Sequence, residues 1–412
     1  MALTGAAGAE YSRGCAMSNV QSTPKPERLT SVDVLRGIII VLMALDHCRD
    51  FFTNVTFDPL DPAKTNLLLF FTRWITHYCA PLFMFLAGVG AFLSLGRGRT
   101  PTDLSKFLLT RGLWLALLEI TWVRCAGWLF NVDYHLVLIG VLWALGWSMV
   151  TLSLLIRLPI RTLTWLSIAV IVLHDALNGV KPEMFGPLAV VWKFLHVPGL
   201  FVQTGGFTAS GGYVVIPWAF VMALGYCCGP VFRWDPSRRG PALIKAGLAL
   251  IAAFIVVRGL NIYGDPMPWQ PQPTALFTTL SFLNTNKYPP SLCYLLMTLG
   301  PGVLLLGLFE NWKGALSRFF LVFGRVPLFF YLLHLPLIHS LAVLQAFKRY
   351  HTAHWLFENP KDGFPFDPPP GYGYSLAVVY GVWIAVVLLL YPLCQWFEHY
   401  KRRNKAAWLS YL

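Results

Sequence analysis

Asp46 and His47 close an apolar run that opens on Asp33 and Arg36, within the stretch RLTSVDVLRGIIIVLMALDHCRDFF from Arg28 to Phe52. As a helix rising about 1.5 Å per residue, this run separates Asp33 from His47 by about 21 Å, so one polar group lies near each face of a bilayer core about 30 Å thick. Ionisable side chains inside a span cost a few kcal/mol each, which makes them candidates for function. Sorted by depth, one side carries Asp46 and His47, then Arg73 and His77, then His334 and His339. The other side carries Asp33, Arg36, Arg111 and Arg325, with Glu119 near the middle. An imidazole is the usual general base near neutral pH, and a guanidinium is the side chain best shaped to fork onto phosphate. The pattern therefore reads as a base-bearing site on one face and a phosphate-holding site on the other.

Each of these residues also has a structural reading. Asp33 and Arg36, one turn apart, could be a neutralising pair at a helix start. Arg111 could be an end residue that snorkels to the interface. His77 or His339 alone could be interfacial. His47 beside Asp46, and His334 flanked by Tyr331 and Pro336, are harder to explain in that way. Neighbours on a helix point about 100° apart, so Asp46 need not be the group that orients His47. Glu119, His77 and Tyr331 are rival partners.

The elements that must position these groups are hydrophobic helices. The 412 residues are 56% hydrophobic and 12% charged, where a soluble chain carries about 25% charged residues. Mean hydropathy is +0.58. The expected fold is an all-α polytopic transmembrane bundle of about ten spans, near 33–52, 67–95, 108–125, 135–156, 163–178, 213–229, 242–260, 291–309, 318–341 and 373–397. With the N-terminus inside, 20 of the 32 Lys and Arg fall in cytoplasmic segments and 11 in the opposite ones, with Arg36 inside the first helix. The cytoplasmic group includes Arg13, Lys25, Arg28, Arg97 and Lys405. This bias places both termini in the cytoplasm and accounts for the net charge of +13 without nucleic acid. Residues 1–30 read as a disordered cytoplasmic tail, 31–398 as the membrane domain and 399–412 as a basic cytoplasmic tail. No signal peptide is visible. The eight cysteines include no C-x-x-C pair and read as buried free thiols, with a Cys48–Cys79 disulfide allowed but not indicated. No metal site is expected. The outer loops 179–212, 261–290 and 342–372 are aromatic, glycine-rich or proline-rich. They suit a lid or carbohydrate platform, or equally an interfacial aromatic belt. The segment VWKFLHVPGLF reads as interfacial or re-entrant.

Three stretches carry a resemblance. RLTSVDVLRGIIIVLMALDH resembles the opening of the heparan-α-glucosaminide N-acetyltransferase catalytic-domain-like family. THYCAPLFMFLAGVGAFLS is similar to that family's second span, with Pro81 and Gly88 in matching places. FGRVPLFFYLLHLPLIH resembles a late helix of its bacterial members and related membrane acyltransferases, so the likeness runs from about residue 28 to the C-terminus. The resemblance implies transfer of an acetyl group from acetyl-CoA, as co-substrate, across a membrane to a sugar-like acceptor. It also implies a departure: eukaryotic members carry asparagine at the position of His47 and their proposed catalytic histidine in the following loop. Here residues 48–76 hold no histidine, so His47, or His77 just beyond, would supply the base.

The leading expectation is thus a multi-pass acyltransferase of a bacterial cytoplasmic membrane. Acetyl-CoA phosphates would lie near Arg36, Arg111 and Arg325, with Asp33 beside them. His47, Asp46, His77 and His334 are the catalytic candidates, and a sugar or glycoconjugate is the acceptor. The alternative is a proton-coupled exporter of a polar lipid or sugar conjugate, using the same buried charges as a relay. Acyl chain, acceptor identity and oligomeric state, a homodimer included, stay open.

Overall fold

The computed structural model describes residues 29–96, 98–361, 365–404 and 406–412. Arg13, Cys15, Lys25, Arg28, Arg97 and Lys405, and nearly all of the N-terminal tail, lie outside them. Helix dominates. In chain order the helices are α1 (Thr30–Phe52), α2 (Leu67–Trp74), α3 (Cys79–Leu95), α4 (Pro101–Leu118), α5 (Val141–Leu155), α6 (Ile160–Leu173) and α7 (Ala189–His196). They continue with α8 (Trp218–Cys228), α9 (Pro236–Leu260), α10 (Ala275–Leu283), α11 (Leu292–Leu308), α12 (Ala315–Arg325), α13 (Pro327–Tyr350) and α14 (Leu376–Arg403). Between α4 and α5, Glu119–Trp128 continues as a π-helical stretch.

Six helical segments are long and apolar enough to cross a bilayer: Leu67–Leu95, Ile160–Gly179, Pro236–Leu260, Leu292–Asn311, Pro327–Tyr350 and Leu376–Arg403. The other four segments read as spans fall short of that measure. Val141–Leu155 and Trp218–Arg233 are apolar but shorter, and α1 and α4 carry more charge. For α1 the reason is position. It is the hub of the bundle, packed against α3, α11, α12, α13 and α14, and 15 of its 23 residues are buried. A helix shielded from lipid on most sides can hold Asp33, Arg36, Asp46, Arg49 and Asp50 because protein partners replace water.

Two departures from the expected spans have clear causes. The segment 318–341 is two helices, broken at Val326 (φ −133°, ψ 48°). Pro327 has no N–H and disfavours the α conformation of the residue before it, so a new helix starts there. Loop 179–212 is partly ordered. The VWKFLHVPGLF segment folds as most of α7 followed by strand entry, and β1 (Leu136–Leu138), β2 (Gly199–Thr204) and β3 (Phe207–Gly211) form a sheet in the order β1-β3-β2. β1 runs parallel to β3, and β2 antiparallel.

Inside α13, Pro336 frees the carbonyl of Leu332 one turn earlier. Trp122 Nε1 donates to that oxygen at 2.8 Å, restoring the bond that a membrane interior demands. Glu119 serves a similar end. Its carboxylate accepts from the first amides of α5, Leu142 N at 2.7 Å and Trp143 N at 3.2 Å. It is therefore an N-terminal cap rather than a partner of His47. Cys48 and Cys79 are both buried free thiols, and Cys79 Sγ donates to Ile39 O at 3.2 Å.

The first motif also has a packing role. A Cβ on Gly37 would lie 1.9 Å from Phe320 O, and one on Gly324 would lie 1.7 Å from Asp33 O. α1 and α12 thus touch backbone to backbone across two glycines, as small residues permit in membrane bundles. Gly37→Ala is expected to destabilise the fold by at least about 1–3 kcal/mol through overpacking. Thermal unfolding in detergent measures it, and a wild-type melting temperature would contradict this packing role.

Candidate functional site

Two cavities meet end to end along α1. The inner one holds about 580 Å³ and is lined by Arg36, Arg99, Arg111, Arg325 and Lys401 at its polar end. Ile40, Leu86, Leu115, Leu142 and Leu145 line its apolar part. The outer one holds about 500 Å³, with Asp46, His47, Arg49, Asp50, Arg73 and Lys287 among its walls. Met43, Phe83, Val141 and Tyr331 line both. These four side chains are the partition between the two compartments. Both volumes fall in the range of small-molecule sites.

At the inner end, Arg36 Nη1 donates to Asp33 Oδ1 at 3.0 Å, the pair expected from their one-turn spacing. Arg325 Nη1 donates to Glu398 at 2.9 Å. Arg111 donates to the carbonyl of Ser410, and the Arg99 guanidinium sits 3.9 Å from the centre of the Phe107 ring. Five cations against the two carboxylates Asp33 and Glu398 leave this compartment positive. The chain reaches it from its far end too: after α14, Tyr411 Oη bonds Thr110 Oγ1 at 2.8 Å, and Leu412 lines the cavity. Ser410 and Tyr411 thus hold this segment against α4.

At the outer end, Arg73 Nη1 reaches both oxygens of Asp46 at 2.7 Å. Arg49 Nη2 donates to Asp46 at 3.0 Å and to Asp50 at 2.6 Å. The carboxylate nearest the His47 ring is Asp50, with Oδ2 3.5 Å from Nδ1. Asp46 points instead to α2, where it meets Arg73, as the turn of the helix between adjacent residues allows. On the other side of His47 lie the rings of Trp128 at 5.0 Å and His334 at 5.2 Å. His334 Nδ1 faces the carbonyls of Tyr331 at 2.7 Å and Phe330 at 3.2 Å. Carbonyls only accept, so Nδ1 carries the proton and Nε2 is left with its lone pair. His334 is fully buried.

His77 differs. It is buried against the Tyr294 ring at 5.3 Å and lines neither cavity. His339 is also structural in setting, with Nδ1 on Gly127 O at 2.9 Å and its ring stacked on Phe130. The structure therefore brings Asp46 and His47 to one compartment, and Arg36, Arg111 and Arg325 to the other, with Asp33 and His334 directly behind them. Depth alone placed His77 with the first group.

The sequence profile described as heparan-alpha-glucosaminide N-acetyltransferase, catalytic, matches residues 28–265, more than half of the chain. The chain belongs to this family. No curated protein matches it.

The N-acetyltransferase family match contains α1, the Asp33–Arg36–Gly37 motif, His47, Arg73, Arg99 and Arg111, and ends before Lys287, Arg325, Tyr331 and His334. The late-helix likeness read at FGRVPLFFYLLHLPLIH lies beyond it. Several wall residues were not singled out from sequence. Arg99 and Lys401 counted only as cytoplasmic cations, Tyr213 as the start of a span, and Lys287 and Tyr288 as part of an aromatic outer loop. Their signal was weak but present: a lysine between NTN and YPP, in a loop too aromatic to be plain.

Proposed function

We propose that the chain is an acetyl-CoA-dependent acyltransferase that works across the partition between its two cavities. The inner, cation-lined cavity takes the phosphates of acetyl-CoA at Arg36, Arg111 and Arg325, with Arg99 and Lys401 nearby, and its apolar part takes the pantetheine arm. The outer cavity takes a sugar or glycoconjugate acceptor. The inner face is the cytoplasmic one, both termini lie there, and the membrane is the cytoplasmic membrane of a bacterium. The observation that carries this reading is the shared wall of Met43, Phe83, Val141 and Tyr331, since a thioester that reaches it meets an acceptor beside His47.

In the direct route, His47 takes the proton of the acceptor amine or hydroxyl. The freed lone pair attacks the thioester carbonyl, a new C–N or C–O bond forms, the C–S bond breaks and the CoA thiolate leaves. The proton on His47 is then available to the thiolate or to water. Asp50 at Nδ1 favours the imidazolium formed on the way. An acyl-histidine route would give ping-pong kinetics in place of a ternary complex.

The deciding experiment supplies membranes with radiolabelled acetyl-CoA and an amino-sugar acceptor. Labelled product supports the reading. Proton-coupled flux without acyl transfer would replace it with the exporter. For the donor end, Arg36→Ala is expected to weaken CoA binding about 10- to 150-fold, the worth of one charge-assisted phosphate bond at about 1.5–3 kcal/mol. Wild-type affinity in that variant would reduce Arg36 to the partner of Asp33.

A further inference from the structure

The wall between the two cavities is chemically uneven. Of its four side chains, Met43, Phe83 and Val141 are apolar, and Tyr331 carries a hydroxyl. Among the described residues no charged side chain lines both cavities. The nearby cations already have partners. Arg49 and Arg73 hold Asp46 and Asp50, while Arg36 and Arg325 hold Asp33 and Glu398. A group that develops negative charge at the wall itself therefore meets a phenol, which is a hydrogen-bond donor at neutral pH.

Tyr331 is 4% exposed, yet its hydroxyl is not used up inside the protein. Among the described residues it makes no hydrogen bond, and its oxygen is not sealed in the core as His334 Nε2 is. The oxygen thus opens on cavity space. Glu119, the ionisable group that acts on this phenol electrostatically, is committed to the amides of Leu142 and Trp143. The ring is also held in place. Three residues along α13, on the same face, stands His334. Its Nδ1 donates to the Tyr331 carbonyl at 2.7 Å, and its ring lies 5.3 Å from the Tyr331 ring and 5.2 Å from that of His47. One buried imidazole therefore borders both the phenol and His47.

We propose that Tyr331 is a catalytic residue whose Oη–H donates a hydrogen bond to the thioester carbonyl oxygen and stabilises the oxyanion formed when the acceptor attacks. The role rests on the acyl transfer proposed above, and His47 cannot fill it while it holds the acceptor's proton. As the new C–N or C–O bond forms, the π pair of the carbonyl moves onto its oxygen. Tyr331 keeps its own proton throughout. When the C–S bond breaks, the pair returns to rebuild the carbonyl, and the CoA thiolate leaves. A donor fixed among apolar neighbours acts more strongly than one in water and needs no reorganisation at the moment of reaction.

The test is Tyr331→Phe in the purified full chain, a change that keeps the ring and so keeps the wall. Turnover is followed with acetyl-CoA and D-glucosamine. The infrared spectrum of bound acetyl-CoA, carrying carbon-13 at the acetyl carbonyl, is recorded without acceptor. In the variant kcat is expected to fall about 10²- to 10³-fold, with KM for acetyl-CoA little changed. The labelled carbonyl band is expected at lower frequency in wild type than in Tyr331→Phe, because an accepted hydrogen bond weakens the C=O bond. Unchanged kcat, a loss carried by KM alone, or the same band position in both proteins would each overturn the inference. Should Tyr331→Phe not fold, 3-fluorotyrosine in place of Tyr331, a stronger donor of similar size, carries the spectroscopic test: the band must fall below that of wild type, and an unmoved band overturns the inference. If wild type neither binds acetyl-CoA nor acetylates the sugar, the function proposed above fails. If wild type acetylates it and Tyr331→Phe does so equally fast, the acyltransferase stands and only this inference falls.

Discussion

Alanine at His47 is expected to lower acetyl transfer by about 10²- to 10⁴-fold while CoA is held as before. The expectation comes from position. His47 lines the outer cavity and lies one turn from Met43, which belongs to the partition. It has a carboxylate 3.5 Å from Nδ1 and the His334 ring 5.2 Å away. Among the described residues, no other histidine lines either cavity. Asparagine is the sharper substitution, because eukaryotic members of the resembled family carry it there. If His47 is the base, His47→Asn should be nearly as inactive as His47→Ala, since an amide cannot take a proton at neutral pH. His77→Ala should retain turnover, because His77 reaches neither compartment. The reverse pattern, with Asn active and His77→Ala inactive, would move the base to His77 and require the wall around Thr76 and Cys79 to open.

What could be read from the chain itself divides along a physical line. Hydropathy and the helical rise give depth, so the separation of Asp33 and Arg36 from Asp46 and His47 was legible, as was a polytopic helical bundle. Azimuth was not. His77 has the depth of the outer site but faces α11, and Asp46 has the address of His47 but faces α2. Only packing decides which way a side chain points once both flanks are apolar. The break at Val326 was available in principle, since Pro327 signals it, but hydropathy runs smoothly through the two helices and hid it. Lys287 and Tyr213 were only faintly signalled, for another reason. They meet the site through loop geometry and a small sheet, and no spacing rule in the sequence connects residues 213 and 287 to residue 46.

Asp46→Ala should be the most damaging change to stability at the outer site. Asp46 accepts three hydrogen bonds from two guanidiniums, and the side chains of Arg73 and Arg49 are only 16% and 12% exposed. Removing the carboxylate leaves two like charges near each other with little water. Arg73 keeps only Thr76 Oγ1 at 3.3 Å, and Arg49 keeps Asp50. Breaking a buried pair from one side costs about 3–5 kcal/mol, far above the roughly 0–1 kcal/mol of an exposed pair. A steep fall in melting temperature is therefore expected. The double variant Asp46→Ala, Arg73→Met should recover part of the loss, because it also removes the orphaned charge. Additive losses, or an Asp46→Ala protein that melts as wild type does, would show that water reaches this network and that the pair contributes little. The outcome also bears on catalysis. While Asp46 holds Arg73 and shares Arg49, the second oxygen of Asp50 remains near His47. Without Asp46, the released Arg73 guanidinium would compete for Asp50, and the loss of turnover would then exceed what the fall in folded protein explains.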